Sequence, residues 1–405
     1  MKTKRILILA LFTLASLPGA WAQAGIDAIL HSIEANNPLL QANAHDASSQ
    51  KLEARASNNL ANPSLSYSHL WDSDDKNITV GELVISQGFD FPTLYATRGK
   101  VNRLRANALD AQVSDLRQQV LLQAKELCLD IICLHKQQAL LDERLRNAED
   151  LASLYNQRLE TGDANALETN KINLELLNVR TESRANHIAL ENALSQLTAL
   201  NGGIPLASDP TKDWWNAMGL TEYAPVPLPQ DFVPLCDELL ASDPSLQALQ
   251  EESLAADKQI SVSKQGWLPK LELGYRRNTE TRHPLNGIIV GFSFPLFENR
   301  GKVKLAKAQS LSANYRKEDA RLKAVANLRQ CYDEARSLHA SMEEYSRTLS
   351  RQQDLALLRQ ALEGGEISMI EYFVEVSVVY QSKGNLLQLE NQYHKAMARL
   401  YKSRL

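Results

Sequence analysis

Phe292-Ser293-Phe294-Pro295-Leu296-Phe297-Glu298-Asn299-Arg300-Gly301-Lys302-Val303 marks a change of period. Ahead of it, Ile288, Val290, Phe292 and Phe294 share one parity opposite Gly291 and Ser293. That alternation predicts a half-buried strand. Behind it, Lys302 to Glu363 contains no Pro and reads as one helix of 62 residues, about 93 Å long. An earlier stretch repeats the plan. Phe89-Asp90-Phe91-Pro92 precedes Ala96 to Glu160, 65 Pro-free residues or about 97 Å of helix, and Arg98-Gly99-Lys100-Val101 stands near the start of that stretch. In this first helix Val120, Leu127, Leu134 and Leu141 recur every seven residues, accompanied by Leu116, Ile131 and Leu145, the spacing of a coiled coil.

Further landmarks recur in the same order. Asn37-Pro38-Leu39-Leu40-Gln41 resembles Asp243-Pro244-Ser245-Leu246-Gln247, and Pro63-Ser64-Leu65 resembles Pro269-Lys270-Leu271. Glu160, Gly162 and Glu168 return as Glu363, Gly365 and Glu371. Five landmarks at nearly constant offset predict an internal duplication. We read residues 23–203 as the first repeat, 204–236 as a Pro-rich belt between repeats, and 237–405 as the second repeat. Each repeat runs helix, two strands, long helix, tight turn, helix. The long helices end at Thr161-Gly162-Asp163 and Gly364-Gly365-Glu366, where Gly supplies a left-handed residue for the reversal. Asn165 to Leu200 and Ile367 to Lys402 follow as shorter helices, and Leu240 to Trp267 precedes the second strand pair.

The strands are Pro63 to Trp71, Ile78 to Phe91, Lys270 to Arg277 and the segment ending at Phe294. Leu65, Tyr67 and Trp71 alternate with Ser64, Ser66 and Ser68; Leu271, Leu273 and Tyr275 alternate with Lys270, Glu272 and Arg276. Their length is near the 9–11 residues that cross a bilayer at a tilt. A small soluble sheet is the other reading. In lipid, open edges are excluded, because unpaired backbone groups there cost several kcal/mol each. Four strands enclose no lumen, so a membrane sheet would have to close between chains. Phe91, Tyr95, Trp267, Phe294 and Phe297 stand where strands meet helices, as an interfacial girdle would.

At the N-terminus Lys2, Lys4 and Arg5 precede an apolar run, Ile6 to Leu17, and the small-x-small sequences Ala20-Trp21-Ala22 and Ala22-Gln23-Ala24. This predicts a signal peptide over residues 1–22, hence export. No Cys lies beside either cleavage sequence. Elsewhere no uncharged run of apolar residues is long enough for a helical span. With 44 basic and 48 acidic residues in 405, the net charge of −4 gives no basic footprint for nucleic acid. Cys128, Cys133, Cys236 and Cys331 form no disulfide scaffold, and the eight His show no ligand spacing. We therefore expect no metal site, no cofactor and no catalytic constellation. Pro205, Pro210, Pro225, Pro227, Pro229 and Pro234 deny long helix to the belt, where Trp214 and Trp215 read as packing residues.

These features together resemble the TolC-like outer-membrane efflux channel family over nearly the whole mature chain. Phe-Pro-Leu-Phe-Glu-Asn-Arg-Gly-Lys at 294–302 and Gly-Glu-Ile-Ser at 365–368 are most similar to its heavy-metal branch, the CusC- and CzcC-like proteins. The resemblance implies a mainly α fold with a membrane β-barrel. A homotrimer would close twelve strands in outer-membrane lipid and carry a long α-helical barrel into the periplasm. It also implies a periplasmic adaptor and an inner-membrane pump of the RND type as partners, the channel itself being passive. Two hairpin tips per chain would meet the adaptor, through Arg158, Leu159, Gly162, Asp163 and Ala164, and through Leu362, Gly365, Glu366 and Ile367. Glu371 matches the family's acidic constriction at the periplasmic entrance. Glu375 lies one turn further, with Val374 at the usual second acidic position, and Glu168 is the counterpart in the first repeat. A ring of such carboxylates favours cations. The competing reading is a soluble periplasmic coiled-coil adaptor or scaffold.

Overall fold

The computed structural model describes residues 18–74, 79–162, 165–206, 214–280, 283–350 and 355–405. The charged and apolar segments of the expected signal peptide, through Leu17, lie outside the described residues, as do Asp163 and Ala164. The elements follow in order as α1 (Pro18–Asn36), α2 (Pro38–Ala56), β1 (Ser64–Trp71), β2 (Thr79–Phe89), α3 (Pro92–Thr161) and α4 (Ala166–Leu200). Then come α5 (Trp214–Ala217), α6 (Phe232–Ala241), α7 (Pro244–Gln265), β3 (Lys270–Glu280) and β4 (Leu285–Ser293). The chain ends with α8 (Lys302–Leu349), α9 (Leu355–Glu363), α10 (Met369–Leu400) and a 3₁₀ turn at Lys402–Arg404. Among the described residues no helix is long and apolar enough to cross a membrane.

Two boundaries ahead of the second strand pair differ from the sequence reading, each for a local reason. The helix expected from Leu240 is broken: α6 stops at Ala241 and α7 starts at Pro244. Pro244 disfavours helix for the residue before it, and Asp243 caps the new start, its side chain accepting from Ser245 N at 2.8 Å. Pro38 opens α2 in the same way after Asn37. Secondly, α6 begins at Phe232, inside the segment read as a Pro-rich belt. Pro234 sits in its first turn, where a missing N–H removes no intrahelical bond. The stretch expected as one helix from Lys302 to Glu363 is described as α8 and α9, and residues 351–354 between them lie outside the described residues.

The chain divides into two compact units. One comprises Leu39–Arg117 and Cys236–Asn327 and holds the sheet. Its four strands run β1-β2-β3-β4, every neighbour antiparallel. Directly paired residues share a face. On one face stand the rows Leu65–Ile85–Tyr275–Ile288, Gln87–Leu273–Val290 and Phe89–Leu271–Phe292. On the other stand Ser64–Ser86–Gly274 and Ser66–Val84–Arg276, with Glu82, Glu272 and Lys270. Ser64 and Ser86 bond at 2.8 Å between hydroxyls, and Arg276 meets Glu82 at 2.5 Å. The apolar face is open: Leu65, Tyr67, Trp71, Ile288, Val290 and Phe292 are all exposed. At the helical end of this unit, Leu94 and Val101 of α3 pack with Ala255 and Val262 of α7. Ser253 donates to Asn314 at 2.7 Å, joining α7 to α8.

The other unit comprises the chain up to Pro38, Gln118–Leu235 and Leu328–Leu405. Here α3 buries more than one stripe. Val120, Ile131 and Leu141 of the coiled-coil pattern are buried, but so are Leu121, Ala124, Cys128 and Ile132. A two-position heptad seam is narrower than this. Burial drives the Cys128 thiol up to about 12, so it stays protonated. Asn391 and Lys395 of α10 reach Asp130 of α3 at 2.7 and 2.6 Å, and Asn186 of α4 donates to Leu134 O at 3.0 Å. The segment before α6 is held by donors aimed at its carbonyls. Tyr393 bonds Val226 O at 2.8 Å, and Tyr332 bonds Pro229 O and Gln230 O, both at 3.1 Å. Gly202 closes α4 at φ 69°, and a Cβ there would meet Asn36 O at 2.5 Å, so the turn admits no side chain.

Candidate functional site: the hairpin tips

Two helical hairpins, α3–α4 and α9–α10, lie in the same unit and share a core. Leu151, Ala152 and Tyr155 of α3, Ile172 of α4, Leu362 of α9 and Met369, Tyr372, Val376 and Tyr380 of α10 are buried together. The spacing of 369, 372, 376 and 380 is that of one helical face. Its neighbours Ile370, Val374 and Val378 are exposed instead.

The second turn is a Schellman closure. Gly365 has φ 73°, its N–H donates to Leu362 O at 3.1 Å, and Glu366 N donates to Ala361 O at 2.8 Å. Such a closure brings an apolar contact with it, and Ile367 packs on the shared core while Leu362 is only 6% exposed. Leu362 therefore supports the tip from inside. Gly365 and Glu366 stand exposed at the turn. In the first hairpin Gly162 has φ 82° and donates to Leu159 O at 3.2 Å. Leu159 and Gly162 are exposed; Arg158 is half-buried, its guanidinium 5.5 Å from the Tyr155 ring centre.

Glu371 has a local task that the sequence reading passed over. Ser368 is the N-cap of α10, and Glu371 is its third residue. Ser368 Oγ accepts from Glu371 N at 3.2 Å, and Glu371 Oε2 accepts from Ser368 N at 2.8 Å. This reciprocal capping box was legible as Ser-Met-Ile-Glu at 368–371. The bonds from Ser368 hold the Glu371 carboxyl below its ordinary value of 4.5. A lowered value means a contribution that is complete at neutral pH and is lost as pH falls through the folded value. Amide protection in the first turn of α10 should therefore fall on acidification below about pH 4.5, the ordinary value. Ser368→Ala should lower it at neutral pH by about 1 kcal/mol. Hydrogen exchange across residues 369–375 measures both effects.

Glu375, one turn on, is exposed and makes no hydrogen bond or ion pair among the described residues. Glu168 is the third residue of α4, behind an N-cap Asn165 whose side chain accepts from Leu167 N at 3.0 Å. Glu371 and Glu375 thus sit together on α10, with Glu168 in the corresponding turn of α4.

The residues that tie the hairpins together were missed from sequence. Asn147 and Tyr372, 225 positions apart, bond at 3.0 Å. Arg359 of α9 reaches Asp150 of α3 at 3.2 Å and its own Glu363 at 3.1 Å. Arg144 of α3 clamps Glu175 at 2.6 Å and Glu182 at 2.9 Å, both on α4. Only Arg359–Glu363, four apart on one helix, carried a sequence signal. Among the described residues no group of three or more His, Cys, Asp or Glu is placed to hold a metal ion.

Residues 235–403 match the family model described as outer membrane efflux protein. No curated protein sequence matches the chain. Solved structures do. CusC, in structures concerned with folding and transmembrane channel formation, shares 16% identity at TM-score 0.76, covering 94% of this chain and 92% of that one. The outer-membrane channel OprN gives 13% identity and TM-score 0.78, over 96% and 92%. The outer membrane protein VceC of Vibrio cholerae gives 14% and 0.76, over 96% and 98%. At these identities the likeness is one of fold, and it extends over nearly the whole length of each chain.

Proposed function

We infer, from a chain that has the fold of these channels and whose second half matches the outer membrane efflux protein family, that it is one subunit of an outer-membrane efflux channel. The observation that carries this reading is the sheet. One face is apolar and open, the other carries Ser64, Ser66, Glu82, Glu272 and Arg276, and both β1 and β4 are edges. In water the apolar face has no reason to stay exposed. In lipid it is solvated, but the two edges then need partners. Copies of the same chain supply them: three chains close twelve strands, with the polar face turned to a wet lumen. Exposed Leu305, Leu311, Tyr315 and Leu322 on α8 give such copies helical surface to bury as well. A soluble coiled-coil scaffold has no use for an open apolar sheet.

The protein is then a passive duct, not an enzyme. The helices extend it into the periplasm. The exposed turns at Leu159–Gly162 and Gly365–Glu366 face a periplasmic adaptor, and an inner-membrane pump of the RND type supplies the energy. Glu371 and Glu375, repeated in each copy, line the entrance with negative charge and favour cations.

Single-channel recording in planar bilayers tests this, comparing wild type with Glu371→Gln and Glu371→Ala. Gln keeps the capping bond but loses the charge, whereas Ala loses both. Cation selectivity that falls equally in the two variants assigns the charge to the entrance. Selectivity disturbed only by Ala reduces Glu371 to a cap. Wild-type protein that inserts and conducts nothing under any voltage overturns the duct.

A further inference from the structure

One cation interrupts the apolar face of the sheet. Arg277 of β3 pairs with Leu83 on one side and Asn286 on the other, in the same row as Tyr67. The alternation puts it on the face of Leu273, Tyr275, Ile288 and Val290, not on the face of Arg276. Arg276 has Glu82; Arg277 is exposed and has no ion pair among the described residues. It lies six residues from Leu271, about 20 Å along the strand. A lipid-facing Arg is most costly at mid-depth and least costly at headgroup level. The rings around it agree with the second position: Tyr67 is exposed in its own row and Trp71 further toward the end of the sheet remote from the helices, with Tyr275 one row nearer the helices.

Asn286 makes this more than a tolerated charge. Tyr275 donates its hydroxyl to Asn286 Oδ1 at 2.7 Å. That fixes the amide and leaves its NH₂ as the remaining donor. Cross-strand pairing sets the Cβ atoms of Arg277 and Asn286 about 5 Å apart. A planar fork of donors and an oriented amide stand side by side over an apolar wall. A phosphate oxygen suits the fork, and acyl chains suit the wall.

We propose that Arg277 and Asn286 bind the phosphate of a membrane lipid headgroup on the outward face of the sheet. This rests on the reading of the sheet as a barrel wall. The wall supplies the lipid orientation, Tyr275 presets Asn286, and Arg277 supplies the charge.

The test uses the full-length protein purified in detergent, with mixed phosphatidic acid and phosphatidylcholine, and counts retained lipid by native mass spectrometry. Wild type should retain phosphatidic acid in preference. Arg277→Gln should weaken that retention about tenfold, the loss of a charge-assisted partner. Arg277→Lys should keep part of it, having the charge without the fork. Retention unchanged in Arg277→Gln overturns the proposal. So does displacement by millimolar inorganic phosphate, which would make this a site for the free anion. Co-flotation with phosphatidylcholine vesicles separates the two levels of failure. Wild type that floats but shows no preference sinks this inference alone, and wild type that does not float sinks the barrel wall beneath it.

Discussion

Val290→Arg is expected to prevent stable insertion of the protein, whereas Ile289→Arg, one residue away, is expected to be tolerated. Val290 is 59% exposed on the apolar face, in the row of Gln87 and Leu273. Ile289 points to the opposite face, paired with Gly274. If the sheet were a surface in water, an exposed Val→Arg change would be neutral or would improve solubility. In a barrel wall, Arg facing lipid near mid-depth costs roughly 2–4 kcal/mol in each chain. An assembly of several copies multiplies that. The measurement is the fraction of folded oligomer recovered from outer membranes, or reconstituted in vesicles, for the two variants side by side. Equal recovery would remove lipid from the account of this face.

Tyr372→Ala should have the largest effect at the other unit. Tyr372 is 1% exposed, belongs to the core shared by both hairpins, and bonds Asn147 across to α3. Truncating a buried aromatic costs about 3–5 kcal/mol. The loss falls in the core on which α9 and the first turns of α10 pack. Arg359 ties α9 to Asp150, but as a partly exposed pair it contributes about 0–1 kcal/mol. We expect amide protection across 355–363 and 369–380 to collapse in Tyr372→Ala while that of β1–β4 stays as in wild type. Conductance of the inserted channel should rise and become noisy as the tips splay. Arg359→Ala should change either readout only slightly. A Tyr372→Ala channel with native protection at the tips would mean that the shared core is not what holds them.

The sheet was legible because its alternation is strict where it matters: Leu271, Leu273 and Tyr275 against Glu272 and Arg276. Which strand neighbours which was not legible. The pairing of β2 with β3 is set by distance in space, and no local pattern encodes it. Helix α3 was expected from Ala96 but starts at Pro92, because Pro costs nothing at a first helical position. Its seven-residue series predicted one seam, but the helix is enclosed more widely, which only its neighbours determine. At the tips, Gly162 and Gly365 were readable as turns by their need for positive φ. The capping box was equally readable and was passed over in favour of the carboxylate's charge. The Asn147–Tyr372 and Arg144–Glu175 contacts were out of reach, since each joins helices whose relative phase the sequence does not state.

The central seam of the sheet also governs the order in which the protein comes into being. Phe89 pairs with Leu271 and Val80 with Glu280, partners between 182 and 200 residues apart in the chain. The first hairpin is therefore made long before the strand that completes it. At about 5–20 residues per second, roughly 9–40 s of synthesis separate the two. Throughout that interval β1 and β2 form at most a two-stranded ribbon, which is marginal alone and has Leu65, Tyr67 and Trp71 bare. Waiting ribbons of this kind aggregate with one another. Asp72 and Asp74, which follow Trp71, put like charge at the end of each. Charge beside an edge strand disfavours its pairing with another copy.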